Sequence, residues 1–196
     1  MFDQRDRSQF LNFAGLIEGS LALAALSVGW LLEINPLEHF SWDWLAVGWG
    51  LLGAVPTLLV FYLAYRFPIG ELCKIRDFLS RELAPSLSIL RWYDLILMAL
   101  LAGVSEELLF RGLLQPWIGG LSCNVLFGVV HWITPLYAVL AFVTGSYLSW
   151  AMTFTEPDNL LTPIVIHATH DYLAFLVIVS IHNRTTAIPP ASEIVD

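Results

Sequence analysis

YDLILMALLAGVSEELLFRGLLQ, residues 93–115, is long and apolar enough to cross a hydrocarbon core, yet it carries two adjacent carboxylates, Glu106 and Glu107, in its interior. A transmembrane helix takes about 20 mainly apolar residues. Ionisable groups at such a depth are costly and mark functional positions by default. Three later polar positions offer partners for the pair: His131 in FGVVH, and His167 and Asp171 in HATHD.

The rest of the chain agrees with a membrane setting. Of 196 residues, 57% are hydrophobic and 13% charged, with a mean hydropathy of +0.70. Too few polar side chains remain to cover a soluble globule, so the apolar excess must face lipid, in an all-α polytopic membrane helical bundle. Six stretches are expected as transmembrane helices: 13–32, 44–65, 93–115, 121–134, 136–154 and 161–181. The fourth is short. Pro116, Pro135 and Pro157 fall between stretches, where they are expected to end helices. The mixed charge of residues 1–7 and the long run after them fit a retained first span better than a cleaved signal.

Arg5 and Arg7 precede the first stretch, Arg66, Lys74, Arg76, Arg81 and Arg91 lie between the second and third, and Arg184 follows the last. With six crossings these all fall on one side, and the opposite loops carry only Glu33, Glu38, Asp43, Glu156 and Asp158. By the positive-inside rule both termini are expected in the cytoplasm, with the protein in the plasma (inner) membrane. Leu72, Ile75, Leu79 and Leu83 recur at helical spacing, as in a short interfacial amphipathic helix. A net charge of −8 argues against a nucleic-acid partner. Cys73 and Cys123 show no paired spacing and read as inert thiols.

Each helical residue turns the chain by about 100°, so Glu107 and Arg111, four apart, share a face while Glu106 is rotated away. Glu107 and Arg111 would neutralise each other, and Glu before Arg is the favourable order. Glu106 then remains as the carboxylate without a local counter-charge. Poised between desolvation and a nearby histidinium, it is the candidate general base. His131 lies four residues after Phe127, and His167 and Asp171 share one face with His170 close by. Glu106 lies about ten residues before Pro116, His131 about ten after Leu121 and Asp171 about ten after Leu161, so at about 1.5 Å per residue each is expected on the order of 15 Å below the outer surface and the groups can meet. A cluster of this kind fits metal-assisted hydrolysis, hydrolysis by Glu- and His-activated water, or an ion or proton pathway. No His-Glu-x-x-His helix is present.

Glu-Glu-x-x-x-Arg at Glu106, Glu107 and Arg111, Phe-x-x-x-His at Phe127 and His131, and His-x-x-x-Asp at His167 and Asp171 resemble, in order, the three motifs of the CPBP family. That family comprises CAAX-processing and bacteriocin-processing intramembrane glutamic proteases, also called the Abi family. The resemblance covers roughly residues 93–181. It implies a metal-independent endopeptidase without a cofactor, in which Glu106, helped by His131, activates water, and His167 with Asp171 forms an oxyanion hole. Glu107, Arg111 and Phe127 would be structural or substrate-orienting. The eukaryotic endopeptidase that trims prenylated CAAX proteins has Asn at the position of Asp171. An ionised Asp cannot donate to an oxyanion, so Asp171 is expected either to be protonated and donate or, the reading preferred here, to orient His167 or His170 as the donor. His170 is outside the motif and stands as an auxiliary candidate.

The domain organisation expected from this is a two-span region with its connector over 1–92, a catalytic core over 93–182 and a tail over 183–196. Expected partners are the lipid bilayer and a peptide or membrane-protein substrate, such as a lipidated or leader-bearing precursor. The competing reading is a non-catalytic scaffold, immunity or assembly factor of the same fold.

Overall fold

The computed structural model describes residues 6–186; Arg5 and positions 187–196 of the expected tail lie outside the described residues. Seven helices and no strand occur among the described residues. They are α1 (Arg7–Leu31), α2 (Trp44–Arg66), α3 (Glu71–Ser88), α4 (Trp92–Ile118), α5 (Gly120–Val130), α6 (Pro135–Phe154) and α7 (Leu161–Thr186). The chain is thus an all-helical bundle, as its composition requires.

Their starts are set by short polar side chains. Asp6 accepts from the backbone N–H groups of Ser8 and Gln9, Asp43 from that of Leu45, and Thr134 from that of Tyr137. At the far end of α4 the chain turns at Gly119, whose φ of +84° suits a residue without a Cβ.

Four helices, α1, α2, α6 and α7, are long and apolar enough to cross a bilayer, and a fifth candidate arises if the bent pair α3 and α4 counts as one broken span. The expectation of six full crossings is lowered by α5, which has 11 residues. At 1.5 Å per residue it is about 16 Å long, half of a ~30 Å hydrocarbon core. Its end, residues 131–134, lies level with Glu106, because His131 meets that carboxylate. Non-helical backbone at membrane depth is tolerated where it lines a cavity, and His131 does so.

Pro116 does not end its helix, contrary to the sequence expectation. Instead α3 and α4 each widen into a π-helical stretch, Leu79–Leu83 and Leu108–Leu114, just ahead of Pro85 and Pro116. A proline ring clashes with the carbonyl four residues back and supplies no N–H, and a wider turn accommodates both effects without stopping the helix.

Helix α7 packs against α2 on one side and α4 on the other, α1 packs on α4, and α5 and α6 form an antiparallel pair. Arg7 Nε donates to Asp94 Oδ2 at 2.6 Å, so α1 and α4 begin at the same end of the bundle. Asn159 holds the other end, its amide donating to the Ser41 carbonyl at 2.9 Å while the Leu160 N–H reaches the His39 carbonyl at 2.8 Å. At the first end, the interfacial helix α3 buries Ile75, Ala84 and Leu87, and its last two turns pack with Leu90, Leu95 and Ile178.

Gly112 packs directly against the loop after α1, because a Cβ there would meet the Pro36 carbonyl. Gly112→Ala is expected to destabilise the protein by about 1–3 kcal/mol. Gly19→Ala, in open space on α1, should cost nothing. Thermal unfolding in detergent compares them, and equal midpoints would refute this account of the α4 contact.

Candidate active site

A cavity of about 310 Å³ opens inside the bundle, with Glu106, His131, His167, His170 and Asp171 all on its wall. These residues come from α4, the end of α5 and α7.

Glu107 and Arg111 lie behind the wall and are fully buried. Arg111 Nη1 donates to Glu107 Oε1 at 3.1 Å, and Nη2 donates to the Gly145 carbonyl of α6 at 2.8 Å. The i,i+4 pair read from the sequence is therefore present in this geometry. Its guanidinium carbon sits 4.6 Å from the centre of the Phe127 ring, a cation–π contact in a site without water competition. Gly145 leaves the room, since a Cβ there would press on Phe127, Arg111 Nη2 and Asn124 at 3.1–3.2 Å.

Phe127 touches nearly every part of the cluster. Its ring is 4.8 Å from Phe110 edge-on, 4.3 Å from His131 and 6.4 Å from His167. His131 Nδ1 donates to the Phe127 carbonyl at 2.8 Å, which leaves Nε2 facing Glu106 Oε2 at 3.4 Å. Glu106 Oε2 has no hydrogen-bond partner among the described residues although its atom is buried. An acceptor in that condition is expensive unless it has a task.

His167 carries a link that sequence spacing did not reveal. Its Nδ1 donates to Glu107 Oε1 at 2.8 Å, while Nε2 lies 3.5 Å from Asp171 Oδ2, beyond a normal hydrogen bond. The Glu107 carboxylate thus serves both Arg111 and His167. His170 turns the other way. Thr57 donates its hydroxyl to the Ala54 carbonyl, so His170 Nδ1 donates to Thr57 Oγ1 at 3.1 Å and is tied to α2.

Two nearby polar groups were absent from the sequence reading. Glu18, the one charged residue inside α1 after Arg7, accepts a hydrogen bond from the Ser105 hydroxyl, next to Glu106. Its carboxylate is close enough to Glu106, His167 and Asp171 to feel their charges. An acid in the middle of an apolar span was itself the signal that could have found it. Tyr137, near the start of α6, also lines the cavity, and no sequence motif marks it.

The described residues hold no group of three or more His, Cys, Asp or Glu arranged around a metal position. Residues 88–173 match the model of the type II CAAX prenyl endopeptidase Rce1-like family. The matched stretch is 86 of the 196 residues, and over it the chain is similar to that family. No curated protein and no solved structure matches it. The Rce1-like domain takes in α4, α5, α6 and α7 through Asp171, but not α1, α2 or most of α3.

Removing one partner of a buried ion pair strands the other charge, at about 3–5 kcal/mol. Arg111→Met should therefore lower stability by about that amount, whereas Arg111→Lys should lose less. Chemical unfolding in mixed micelles reads the difference, and a Met variant as stable as wild type would show that Glu107 needs no counter-charge.

Proposed function

We propose that this protein is an intramembrane endopeptidase in which Glu106 and His131 activate the water that attacks a peptide bond. The observation that carries the reading is the Glu106 carboxylate on the cavity wall, its Oε2 facing His131 Nε2 across 3.4 Å, while the neighbouring Glu107 lies behind the wall with its Oε1 shared by Arg111 and His167. A general base has to reach the water it deprotonates, and Glu106 is the member of the pair that borders the cavity.

In this mechanism Glu106 accepts a proton from water as the oxygen bonds to the carbonyl carbon. His131, whose Nδ1–H is fixed by the Phe127 carbonyl, presents Nε2 to the same water. Negative charge moves to the carbonyl oxygen. His167 Nε2–H stabilises it, the ring being anchored by Glu107 through Nδ1 and aimed by Asp171. Collapse breaks the C–N bond, and the proton held by Glu106 passes to the departing amine. Asp171 acts by orientation, which agrees with the 3.5 Å separation and with the inability of a carboxylate to donate. Glu107 and Arg111 hold the frame, and His170 is auxiliary at most.

The match to the prenyl endopeptidase family supports a peptide or protein substrate, and the aliphatic and aromatic lining of the cavity suits a lipidated or otherwise apolar segment. Metal independence rests on the family resemblance. The charge distribution supports cytoplasmic termini in the plasma (inner) membrane, since Arg7, Arg66–Arg91 and Arg184 lie at the α1–α4 start of the bundle. We place the catalytic core at 93–182, between the N-terminal 1–92 and the tail.

The test uses full-length protein in liposomes with a quenched farnesylated peptide. Glu106→Gln and His131→Ala should each lower kcat by roughly 10²–10⁴ without lowering the unfolding midpoint. Dialysis against EDTA should leave the rate unchanged. Turnover by Glu106→Gln at the wild-type rate would sink the endopeptidase reading and favour a non-catalytic scaffold. Asp171→Ala, which removes both the orienting carboxylate and any amide donor, should reduce kcat by about 10²-fold or more with little change in KM; an Ala variant as fast as wild type would refute the orienting role.

A further inference from the structure

The hydroxyl-bearing residues on the cavity wall are Thr57, Tyr65, Tyr137 and Thr144. Two of them are committed elsewhere, since Thr57 donates to the Ala54 carbonyl at 2.9 Å and Tyr65 pairs with Ser80 at 3.2 Å. The hydroxyls of Tyr137 and Thr144 make no hydrogen bond among the described residues. Thr144 lies seven residues further along α6, about 10 Å at 1.5 Å per residue. Tyr137 is the one beside the acids, its phenol close enough to Asp171 and Glu106 for both carboxylates to act on it.

The start of α6 sets that position. Thr134 caps the helix by accepting from the Tyr137 N–H at 3.1 Å, with Pro135 in the first turn. Side chains on a helix lean toward its N-terminus, so the Tyr137 ring is carried back toward residues 131–134 and the depth of His131. The same turn is pressed onto α5, where a Cβ at Gly128 would lie 2.6 Å from the Ala138 carbonyl. The ring is thereby held on the wall with its O–H unspent.

We propose that Tyr137 is a second oxyanion donor, its hydroxyl donating to the carbonyl oxygen of the scissile peptide alongside His167 Nε2–H. The proposal rests on the endopeptidase reading and adds a catalytic residue to it. His167 has only one N–H to offer, and Asp171 Oδ2 lies 3.5 Å from the same nitrogen. Ionised carboxylates on the wall repel the negative charge that grows on the carbonyl oxygen, which raises the need for donors. The other two histidines do not meet it. His131 donates through Nδ1 to the Phe127 carbonyl and His170 through Nδ1 to Thr57, so in the neutral rings each Nε2 is an acceptor. The Tyr137 hydrogen bond strengthens as the oxygen becomes charged, and the phenol keeps its proton throughout.

Full-length protein in liposomes is assayed with the quenched farnesylated peptide. Tyr137→Phe, which keeps the ring, should lower kcat by roughly 10²–10³ with KM and the unfolding midpoint unchanged, the loss expected for one oxyanion donor. A phosphinate analogue of the peptide, tetrahedral and anionic at the cleavage position, should bind the Phe variant weaker by a similar factor. A Phe variant as fast as wild type, or one that binds the analogue as tightly as wild type does, would overturn the donor role. Should the Phe variant fail to fold, difluorotyrosine at position 137 keeps the shape with a more acidic hydroxyl. The alkaline fall in kcat should then move to lower pH, because a phenolate has no hydrogen to donate, and coincident pH profiles would overturn the role equally. Absence of turnover in the wild-type protein would bring down the endopeptidase reading and Tyr137 with it, whereas a fast Phe variant beside an inactive Glu106→Gln would strike Tyr137 alone.

Discussion

The arrangement depends on the buried ion pair of Glu107 and Arg111. Two charges removed from water are tolerated better the more of their remaining hydrogen-bonding positions are filled. Here other helices fill part of them, α6 with the Gly145 carbonyl, α5 with the face of Phe127 and α7 with the Nδ1–H of His167, while Glu107 Oε2 and Arg111 Nε have no hydrogen-bond partner among the described residues. One guanidinium and one carboxylate thereby locate four helices with respect to each other. The same demand explains the small residue at position 145, where any side chain would displace the arginine or the ring.

A second consequence is the division of labour between adjacent glutamates. Because Glu107 spends its Oε1 on two donors, Glu106 is left facing His131 alone. Rotation by one residue on a helix is enough to send one carboxylate into the protein and the other into the cavity. The short α5 completes the geometry. Ending at Val130, it delivers His131 to the depth of Glu106 instead of carrying it across the membrane.

Much of this was legible from spacing. The Glu107–Arg111 pair, the outward turn of Glu106 and the convergence of His131, His167 and Asp171 all follow from helix periodicity and depth, which are local properties. What was not legible is tertiary. The bond from His167 to Glu107 joins helices sixty positions apart, and nothing in HATHD distinguishes it from the i,i+4 contact with Asp171. Pro116 was misjudged as a stop because a proline's effect depends on whether the helix can widen, and the π-helical turn before it settles that. Glu18 was overlooked since α1 carries no motif, although burial of an acid obeys the same rule that singled out Glu106.

The exchange of Asn for Asp at the end of the third motif fits this charge arithmetic. His167 stands between Glu107 at Nδ1 and Asp171 at Nε2, so both acceptors are served only by an imidazole with hydrogen on each nitrogen. An amide at position 171 could turn its own N–H toward an oxyanion, and the ring would then need to serve a single carboxylate. With Asp the donor must come from the ring itself. The long 3.5 Å separation is consistent with that assignment, because an Nε2–H bound tightly to Asp171 would be unavailable to a developing negative charge, whereas one held loosely is aimed and still free. In the proposed mechanism the second carboxylate does by orientation what the amide would do by donation, and the donor role passes from residue 171 to residue 167.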